Sequence, residues 1–388
     1  MEEKKTIRNE SEERILNEFL ELTAIDSVSY RERQMADCLT KKLEELGFVV
    51  EEDDAGRYYG GNAGNLYGFL KGQLPGEPIL LSAHMDTVQP GIGKKALVKE
   101  YGRIESAGET VLGSDDVSGM VEILEGIRSV KEAGLPHRDI EVLFPIGEEM
   151  HIRGSAVFDF SRIRAKEAYV LDMSGAIGSA ALQAPSLLTF EIRVIGKAAH
   201  AGFEPEKGIH AIRVMSEIIC RLKLGHVDEE TVMNVGQIEG GGTTNIVPAS
   251  CTCRGEVRSY NHEKAVQIIK FVEQTARETA EEFGADARVD TMVQMETYQI
   301  EETDPVVQRF VSACGELGIP CELRRTFGGS DNNNFVKNGI HGIVLSCGMY
   351  QVHSKEEYTF LSDMVNGAKL VGKLITDEVF FLNCMKAY

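Results

Sequence analysis

The sequence predicts a layered α/β domain that is interrupted by a smaller α+β domain. In most of the chain, apolar strand-like runs alternate with helical patterns, which is typical of a largely parallel sheet covered by helices. Between residues 185 and 296 the order becomes strand, helix, strand, strand, helix, strand, as in a ferredoxin-like unit. We therefore expect residues 1–184 and 297–388 to form one α/β domain and residues 185–296 to be an insertion.

The elements of the α/β domain follow from the spacing of apolar residues. Residues 11–46 repeat apolar positions at helical spacing, with a break near "IDSVSY". The expected strands are "FVVEED", "NLYGFLK", "PILLSAH", "DIEVLFPIG", "EAYVLDM" and "GIHGIVLSC". The expected helices are "DVSGMVEILEGIRSVKEAG", "SAVFDFSRI", "DPVVQRFVSACGELG" and a last helix at the C-terminus.

The insertion has four expected strands and two expected helices. The strands are "LLTFEIRVIG", "TVMNVGQIEG", "CTCRGEVRSY" and "ADARVDTMVQM". The helices are "KGIHAIRVMSEIICRL" and residues 262–283, both with apolar residues on one face. Cys251 and Cys253 could bind a metal, but their place in a strand-like run favours a structural role.

Composition and charge exclude several classes of partner. The formal net charge is −20, which argues against nucleic acid or an anionic membrane surface as a partner. No apolar run is as long as a membrane span, and the charged N-terminus lacks the apolar core of a secretory signal. The eight cysteines form no framework, so we expect reduced thiols in a cytoplasmic protein.

Five segments carry residue types that bind metals, and four of them lie at or near a change of element. Each has an ordinary explanation when taken alone, such as a helix cap, an acidic first turn or a polar strand end. At the carboxyl edge of one parallel sheet, however, they would meet, and so many acids would repel one another without cations. The segments contain His84 with Asp86, Asp115 with Asp116, Glu148 with Glu149, Asp172, and His353.

This set meets the requirements of a hydrolytic site with two metal ions. Two ions about 3.5–4 Å apart share a water molecule and lower its pKa. One carboxylate bridges the ions, each ion takes an imidazole and a further carboxylate, and one more carboxylate is the general base. Asp86 is better placed to orient the His84 imidazole than to bind metal. Adjacent Glu148 and Glu149 diverge, so one can face the water and the other a metal.

With these residues in view, the sequence resembles a family of dizinc exopeptidases and amidohydrolases. The family includes peptidase T, carboxypeptidase G, acetylornithine deacetylase and succinyl-diaminopimelate desuccinylase. The resemblance covers nearly the whole chain. The sequence is most similar to the peptidase T-like branch in the segments "LQAPSLLTFEIRVIGKAAHAGFEPEKGIHAI" and "FGGSDNNNF". It rests on "HMDTV", "GSDDVSG", "GEE", "LDMSG", "KAAHAG", "NIVP", "GGSD" and "HSKEE".

The resemblance implies a zinc-exopeptidase-like catalytic domain with an inserted lid and dimerisation domain. In the catalytic domain, a cis peptide is expected between Asp115 and Asp116. By this resemblance, His84 and Asp172 would bind one metal, Glu149 and His353 would bind the other, and Asp115 would bridge the two. Glu148 would be the general base and acid, and Asp86 would orient His84.

In the lid, the resemblance implies that His200 stabilises the oxyanion and that Asn245 and Arg258 hold the polar ends of the substrate. Gly328 and Gly329 would let the substrate approach the backbone. Two alternatives remain for these residues: His200 is an ordinary surface residue, or Arg258 pairs with an acid.

The chain departs from the family pattern at Met150 and His151. The family usually has a small residue and then glycine after the two glutamates, whereas this chain reads "EEMHIRGS". The bulkier residues change the local turn, and His151 as an additional metal ligand is a further alternative.

The implied function is a cocatalytic dizinc metallo-exopeptidase, a tripeptide aminopeptidase that uses metal-bound hydroxide and a glutamate base. Two divalent ions are expected, zinc with cobalt and manganese as alternatives. The substrate would be a short peptide, and a homodimer could form through the lid. The same residues would serve a deacylase or carboxypeptidase acting on N-acyl amino acids. An alternative from another class is a catalytically silent binding or scaffold protein.

Overall fold

The computed structural model describes residues 10–376, which divide into two compact units. The first unit contains the described chain up to Leu182, Ile300–Arg325, and the described chain from Ser330 onward. The second contains Gln183–Gln299 and Thr326–Gly329. The expected boundaries of the insertion, 185 and 296, differ from these by a few residues. The expected division also assigned residues 326–329 to the first unit, whereas they group with the second.

The chain before the insertion forms both helices and strands. In chain order they are α1 (Glu10–Thr23), α2 (Arg33–Glu45), β1 (Val49–Glu52), α3 (Ala55–Tyr59), β2 (Leu66–Leu70), β3 (Ile79–Ser82), β4 (Ala96–Val98), β5 (Arg103–Ser106), α4 (Ser114–Glu132), β6 (Ile140–Phe144), α5 (Arg153–Ala156), β7 (Glu167–Met173) and β8 (Ser179–Ala184).

The insertion and the last part of the chain follow. Their elements are β9 (Ser186–Ile195), α6 (Ala211–Arg221), β10 (Gly225–His226), β11 (Thr231–Gly240), β12 (Ser250–Ser259), α7 (His262–Glu282), β13 (Asp286–Met295), β14 (Tyr298–Gln299), α8 (Pro305–Leu317), β15 (Glu322–Arg325), α9 (Asn332–Lys337), β16 (His341–Ser346), β17 (Met349–Tyr350), β18 (Tyr358–Phe360) and α10 (Leu361–Thr376).

The first unit is built on a sheet in the order β1-β2-β6-β3-β7-β16-β8. The strands β6, β3, β7 and β16 are parallel neighbours, and β3 and β6 are buried along their whole length. Such continuous apolar strands are expected where helices cover both faces of a sheet. Because Ile79 pairs with both Ile140 and Glu167, β3, β6 and β7 run in register and their carboxyl ends lie at the same edge.

The predicted helix at "SAVFDFSRI" is wrong. The structure has only the short α5 and one 3-10 turn, Phe160–Arg162, which Asp159 caps by accepting a hydrogen bond from the Ser161 N–H. Phe158 instead joins a core cluster with Tyr67 and Phe335, and these tertiary contacts override the helical spacing.

The second unit is a five-stranded antiparallel sheet in the order β10-β11-β12-β9-β13. The four long strands therefore lie in the spatial order second, third, first, fourth, which is the ferredoxin-like arrangement that the sequence predicts. Its core combines residues of the sheet with residues of α6 and α7, and includes the buried Cys251 and Cys253.

No helix in the described range 10–376 combines the length and the apolar composition that crossing a bilayer requires.

Candidate metal centre

The first unit brings seven predicted residues together at one edge of its sheet. His84 and Asp86 follow the end of β3, Glu148 and Glu149 follow β6, and Asp172 is the penultimate residue of β7. Asp115 lies in the first turn of α4, and His353 lies in the loop between β17 and β18. The Asp115–Asp116 peptide is cis, as the family resemblance implies.

Asp115 lies between two imidazoles. Its Oδ1 is 3.0 Å from His84 Nε2, and its Oδ2 is 3.1 Å from His353 Nε2. On the outer sides, His84 Nε2 is 3.8 Å from an oxygen of Asp172, and His353 Nε2 is 3.0 Å from an oxygen of Glu149. The contacts therefore fall into two groups, each with one imidazole, one outer carboxylate and one oxygen of Asp115.

Possible ligand atoms also cluster around His84 in a second way. Atoms of His84, Glu148 and Asp172 lie within 4.8 Å of one another, and so do atoms of His84, Asp115 and Glu149. Glu148 is therefore close enough to be a ligand as well as a base, and its role as the base stays a prediction.

Asp86 holds the turn that carries both glutamates. Its Oδ1 accepts a hydrogen bond from the Glu148 N–H at 2.9 Å, and its Oδ2 accepts one from the Glu149 N–H at 3.2 Å. The Ser29 hydroxyl donates to Oδ2 at 2.7 Å, and His84 Nδ1 lies 3.4 Å from Oδ1. Asp86 therefore positions the glutamate backbone in addition to facing the imidazole.

Asp116 holds the backbone of His84. Its carboxylate accepts a hydrogen bond from the backbone N–H of His84 at 3.1 Å and another from that of Gly119 at 3.3 Å. These contacts connect the end of β3 to the first turn of α4, so His84 and Asp115 are positioned by one side chain.

Further side chains that the sequence interpretation missed fix the same turn. Glu32 accepts a hydrogen bond from the Gly147 N–H at 3.1 Å, and Asn65 donates to the carbonyl of Gly154 at 2.9 Å. Asp331 accepts a hydrogen bond from the hydroxyl of Ser155. Two sequence signals were available: the break "IDSVSYRE" between two helices contains Ser29 and Glu32, and the motif "GGSD" ends in Asp331. A polar break next to a site often carries function.

The departure at Met150 and His151 leaves the turn in an unusual backbone conformation. His151 has φ 68° and Ile152 has φ 51°, in the left-handed region that glycine adopts without steric cost. Both Met150 and His151 are exposed, and His151 belongs to neither ligand group found among residues 10–376.

The pKa values of several side chains in the site are raised, and a bound cation would lower them again. Burial, reinforced by the charge of Asp172, raises the pKa of Glu148 well above its ordinary value. Burial likewise raises the pKa of Asp172, and the neighbouring Asp116 and Asp115 add to this effect. Hydrogen bonds to Asp115 and Glu149 raise the pKa of His353 to about 11. These residues fit divalent metals, because each cation would replace protons and relieve the repulsion among the acids.

The other predicted residues belong to the second unit. His200 and Asn245 lie on paired segments, since the Ala201 N–H donates to the carbonyl of Asn245 at 3.0 Å. His200 is exposed, and its Nδ1 accepts hydrogen bonds from the N–H groups of Gly202 (3.1 Å) and Phe203 (3.2 Å). A neutral His200 therefore carries its proton on Nε2, where it can be donated.

Arg258 has two partners within the second unit. Its Nε donates to Glu256 at 2.8 Å, and its Nη1 donates to the carbonyl of Phe327 at 2.8 Å. The pairing with an acid agrees with the alternative considered from sequence, while the second contact brings Arg258 to the segment of Gly328 and Gly329. The substrate-binding roles of these lid residues stay predictions.

Two family models match the chain. A model described as a peptidase dimerisation domain matches residues 184–284, and a model of peptidase family M28 matches residues 65–206. Their matches cover the inserted domain and part of the catalytic unit.

Several proteins are similar in sequence over nearly the whole chain. The uncharacterized protein YqjE of Bacillus subtilis is 37% identical over 95% of this chain and 99% of its own length. Carboxypeptidase G2 of a Pseudomonas species is 29% identical over 87% of this chain and 82% of its own. Peptidase T of Fusobacterium nucleatum is 26% identical over 97% of this chain and 90% of its own.

Solved structures extend the comparison to the fold. The structure of an aminopeptidase PepT from Bacillus cereus matches with a TM-score of 0.87 and 36% identity. The structure of a tripeptidase from Staphylococcus aureus matches with a TM-score of 0.91 and 32% identity. Each of the two matches covers 94% of this chain and 98% of the chain it is compared with. A Bacillus subtilis protein described as a dinuclear metal-binding peptidase of the M20 family shares the fold at 16% identity, with a TM-score of 0.71 over 94% of this chain and 97% of its own. The chain therefore belongs to the M20 family of metallopeptidases, in its peptidase T-like branch.

Proposed function

We propose that the protein is a cocatalytic dizinc aminopeptidase that removes N-terminal residues from short peptides, tripeptides above all. The observation that carries the proposal is the position of Asp115, whose two oxygens face different imidazoles at 3.0 and 3.1 Å. A carboxylate in this position can bridge two cations. The relatives named peptidase T and the tripeptidase structure support the substrate class.

The proposed ligands are those that the sequence predicts. His84 and Asp172 would hold one ion, Glu149 and His353 the other, and Asp115 both. When bound, two such ions lower the pKa of a shared water and polarise the scissile carbonyl. Zinc is the proposed metal, and cobalt or manganese would suit the same nitrogen and oxygen ligands.

The side chains of the protein would then move protons and stabilise charge. Glu148 would accept a proton from the attacking water and donate it to the leaving amine, a role that suits a carboxyl group whose pKa burial raises. Asp86 would hold Glu148 through its backbone N–H. His200 would donate from Nε2 to the negative oxygen of the tetrahedral intermediate.

Paired substitutions of the two glutamates test the base against the ligand. Glu148→Gln should lower kcat by several orders of magnitude while the protein still binds two metal ions, whereas Glu149→Gln should weaken metal binding. Metal content by elemental analysis and kcat on a tripeptide distinguish them. A Glu148→Gln enzyme that keeps near-normal kcat, or that loses a metal, would contradict the assignment.

The similarity to carboxypeptidase G2 favours a second candidate, a carboxypeptidase or deacylase at the same site. A peptide panel with blocked N- or C-termini, read by mass spectrometry, separates the two functions. An aminopeptidase should cleave a C-amidated tripeptide but not its N-acetylated form. The opposite result would establish the second candidate.

The location and assembly form part of the same proposal. The family model on residues 184–284 supports a homodimer formed through the inserted domain, which sedimentation analysis of the purified protein would detect. We place the protein in the cytoplasm. The seven cysteines among the described residues carry free thiols, as proteins of a reducing compartment do. No nucleic-acid or membrane partner is proposed.

A further inference from the structure

The loop between β17 and β18 contacts Asp115 at two places. His353 Nε2 lies 3.1 Å from the side-chain Oδ2 of Asp115. Four residues further along the loop, Glu357 accepts a hydrogen bond from the backbone N–H of Asp115 at 3.1 Å. One loop therefore holds both the backbone and the carboxylate of the residue that would bridge the metals.

Glu357 is the acceptor for three donors at the start of α4. Its Oε2 accepts from the Gly113 N–H at 2.9 Å, and its Oε1 accepts from the Ser114 hydroxyl at 2.6 Å in addition to the Asp115 N–H. The side chain is 1% exposed, so water cannot replace these bonds. An ionised carboxylate suits this place because it accepts through both oxygens, whereas an amide would turn an NH₂ group toward one of the donors.

The loop that carries His353 needs such an anchor. Gln351 and His353 have φ 52° and 61°, a backbone conformation that residues with a side chain rarely adopt and that persists only where the surroundings enforce it. The His353 side chain is 52% exposed, so core packing holds only part of it. Glu357, by contrast, is buried and connects the loop to the first turn of α4.

A buried lysine lies close enough to Glu357 to feel its charge. Lys94 is 3% exposed, and its Nζ donates to the carbonyl of Ile25 at 2.8 Å. Its side chain packs against Gly113, where a Cβ would lie 3.0 Å from Lys94 Cε. Burial lowers the pKa of Lys94 to about 8, and the nearby negative charges of Asp26 and Glu357 act in the opposite direction.

We propose that Glu357 is a positioning residue of the metal centre: it fixes the backbone of Asp115 relative to His353, so that the ligands of both ions are in place before the metals bind. This inference rests on the proposed two-metal function. Glu357 acts through Asp115 and His353 and contacts neither metal nor substrate.

The test compares Glu357→Gln with Glu356→Gln, the same substitution at an exposed neighbouring residue. The affinity of each purified protein for zinc is measured by competition with a chromophoric chelator. Glu357→Gln should bind zinc about 10- to 100-fold more weakly, the usual effect of losing a partner of a metal ligand. Glu356→Gln should match the wild type. At limiting zinc, kcat of Glu357→Gln should fall with KM unchanged, and excess zinc should restore it.

Ser114→Ala is the second variant, since it removes one of the three hydrogen bonds and keeps the carboxylate. It should weaken zinc binding in the same direction but less, so the inference stays testable if Glu357→Gln fails to fold. Wild-type zinc affinity in both variants would overturn the role of Glu357. A wild-type protein that binds no pair of ions would instead overturn the proposed function, so the two failures are distinguishable.

Discussion

Among single residues, Asp86 makes four contacts that bear on the chemistry of the site. Its carboxylate accepts hydrogen bonds from the N–H groups of Glu148 and Glu149 and from the Ser29 hydroxyl, and it lies 3.4 Å from His84 Nδ1. Ionised carboxylates accept strong hydrogen bonds from such donors. The proposed base, one proposed ligand from each metal group and the "SVSY" segment are therefore connected through one side chain.

Removing this acceptor should cost more activity than removing one of its donors. Asp86→Asn would direct an NH₂ group at a backbone N–H, so we expect kcat/KM to fall by a factor of about 10² or more, with weaker metal binding. Ser29→Ala removes one hydrogen bond, worth about 0.5–1.5 kcal/mol, and should cost no more than about tenfold. Steady-state kinetics with saturating zinc measure both effects.

Ser161→Ala is the matched control, because the exposed Ser161 hydroxyl donates to Asp159 in the same kind of contact. It should leave kcat/KM unchanged. Equal losses in Ser29→Ala and Asp86→Asn would show that the backbone contacts of Asp86 have no importance for the reaction.

Metal binding should release protons from the two imidazoles. Hydrogen bonds to Asp115 and Glu149 raise the pKa of His353 to about 11. Burial opposes the charged form of His84, but Asp115 and Asp86 raise its pKa well above the ordinary value. We therefore expect both rings to be doubly protonated in the metal-free protein near neutral pH, whereas metal ligation requires neutral imidazole.

We expect the release of at least two protons per chain when two zinc ions bind, because the buried acids of the site, whose pKa values are also raised, can add to the protons from the imidazoles. Calorimetric titrations in two buffers with different heats of ionisation measure this number, and a His353→Ala variant should release fewer protons. Zinc affinity should rise with pH from 6 to 8 for the same reason. A binding heat that does not depend on the buffer would contradict the protonated imidazoles.

At the scale of the elements, the first turn of α4 is fixed against β7 through a glycine. A Cβ at Gly119 would lie 2.3 Å from the Leu171 carbonyl oxygen and 2.5 Å from Asp116 Oδ1. Leu171 precedes Asp172 in β7, and Asp116 holds the backbone of His84. The close approach of helix and strand thus sets the distance between ligands that lie far apart in the sequence.

The same substitution in two helices should have opposite effects. Glycine to alanine in a helix interior normally stabilises by about 0.5–1 kcal/mol, and Gly315→Ala in α8 should do so because nothing lies within 4 Å of its Cβ position. Gly119→Ala should destabilise by about 1–3 kcal/mol, since the strand or Asp116 must move, and it should weaken zinc binding. Urea unfolding with and without zinc measures both. A stabilised Gly119→Ala protein would show that helix and strand separate easily.

The sequence predicts helices and strands well where their burial is one-sided or continuous. It predicts them poorly where contacts with remote segments determine the secondary structure. The runs "EAYVLDM" and "TVMNVGQIEG" match β7 and β11 residue for residue: β7 is buried along most of its length, and the first residues of β11 alternate between buried and less buried positions. The short strands β4, β5, β17 and β18 escaped prediction, since they have only two to four residues each and their sheet depends on the pairing of β5 with the distant β18. The small sheet they form carries the loop of His353 and Glu357.

The proposed ligands could be selected from the sequence because histidines and acids at strand ends have a recognisable chemistry. Of the residues that position them, Asp86 was predicted, but Ser29, Asn65 and Glu357 were not assigned this role, since they act through hydrogen bonds to segments far away in the chain. Glu122 shows the same limit for charge: within α4 it resembles an exposed helix position, yet it is 1% exposed.

At the scale of the whole molecule, a net charge of −20 makes each buried acid a cost that the fold must offset. Glu125, also in α4, is offset by ion pairs with Arg14 and Arg128. Glu122 has no such partner: its Oε1 accepts no hydrogen bond from the described residues, and it faces Gly367 of α10. Burial, reinforced by the charge of Asp363, raises the pKa of Glu122 well above its ordinary value.

Glu122 should therefore make the protein less stable as pH rises. The folded protein keeps the proton of Glu122 at pH values where the unfolded chain has released it, so the free energy of unfolding falls as pH rises above about 4.3, by at most about 1.4 kcal/mol per pH unit. Glu122→Gln carries no titrating proton and should lose this slope. Its stability relative to the wild type should increase steadily from pH 5 to pH 8.

Urea unfolding of the metal-free proteins at several pH values tests this, because chelation removes the contribution of the metal centre. Glu132→Gln is the matched control on the same helix, since it is the same substitution at a side chain that is 56% exposed. Its stability should run parallel to that of the wild type at every pH. If Glu122→Gln also runs parallel, Glu122 is ionised in the folded protein and its burial is offset by a partner still to be found. If the two curves diverge, then this buried acid makes a measurable contribution to the loss of stability at alkaline pH.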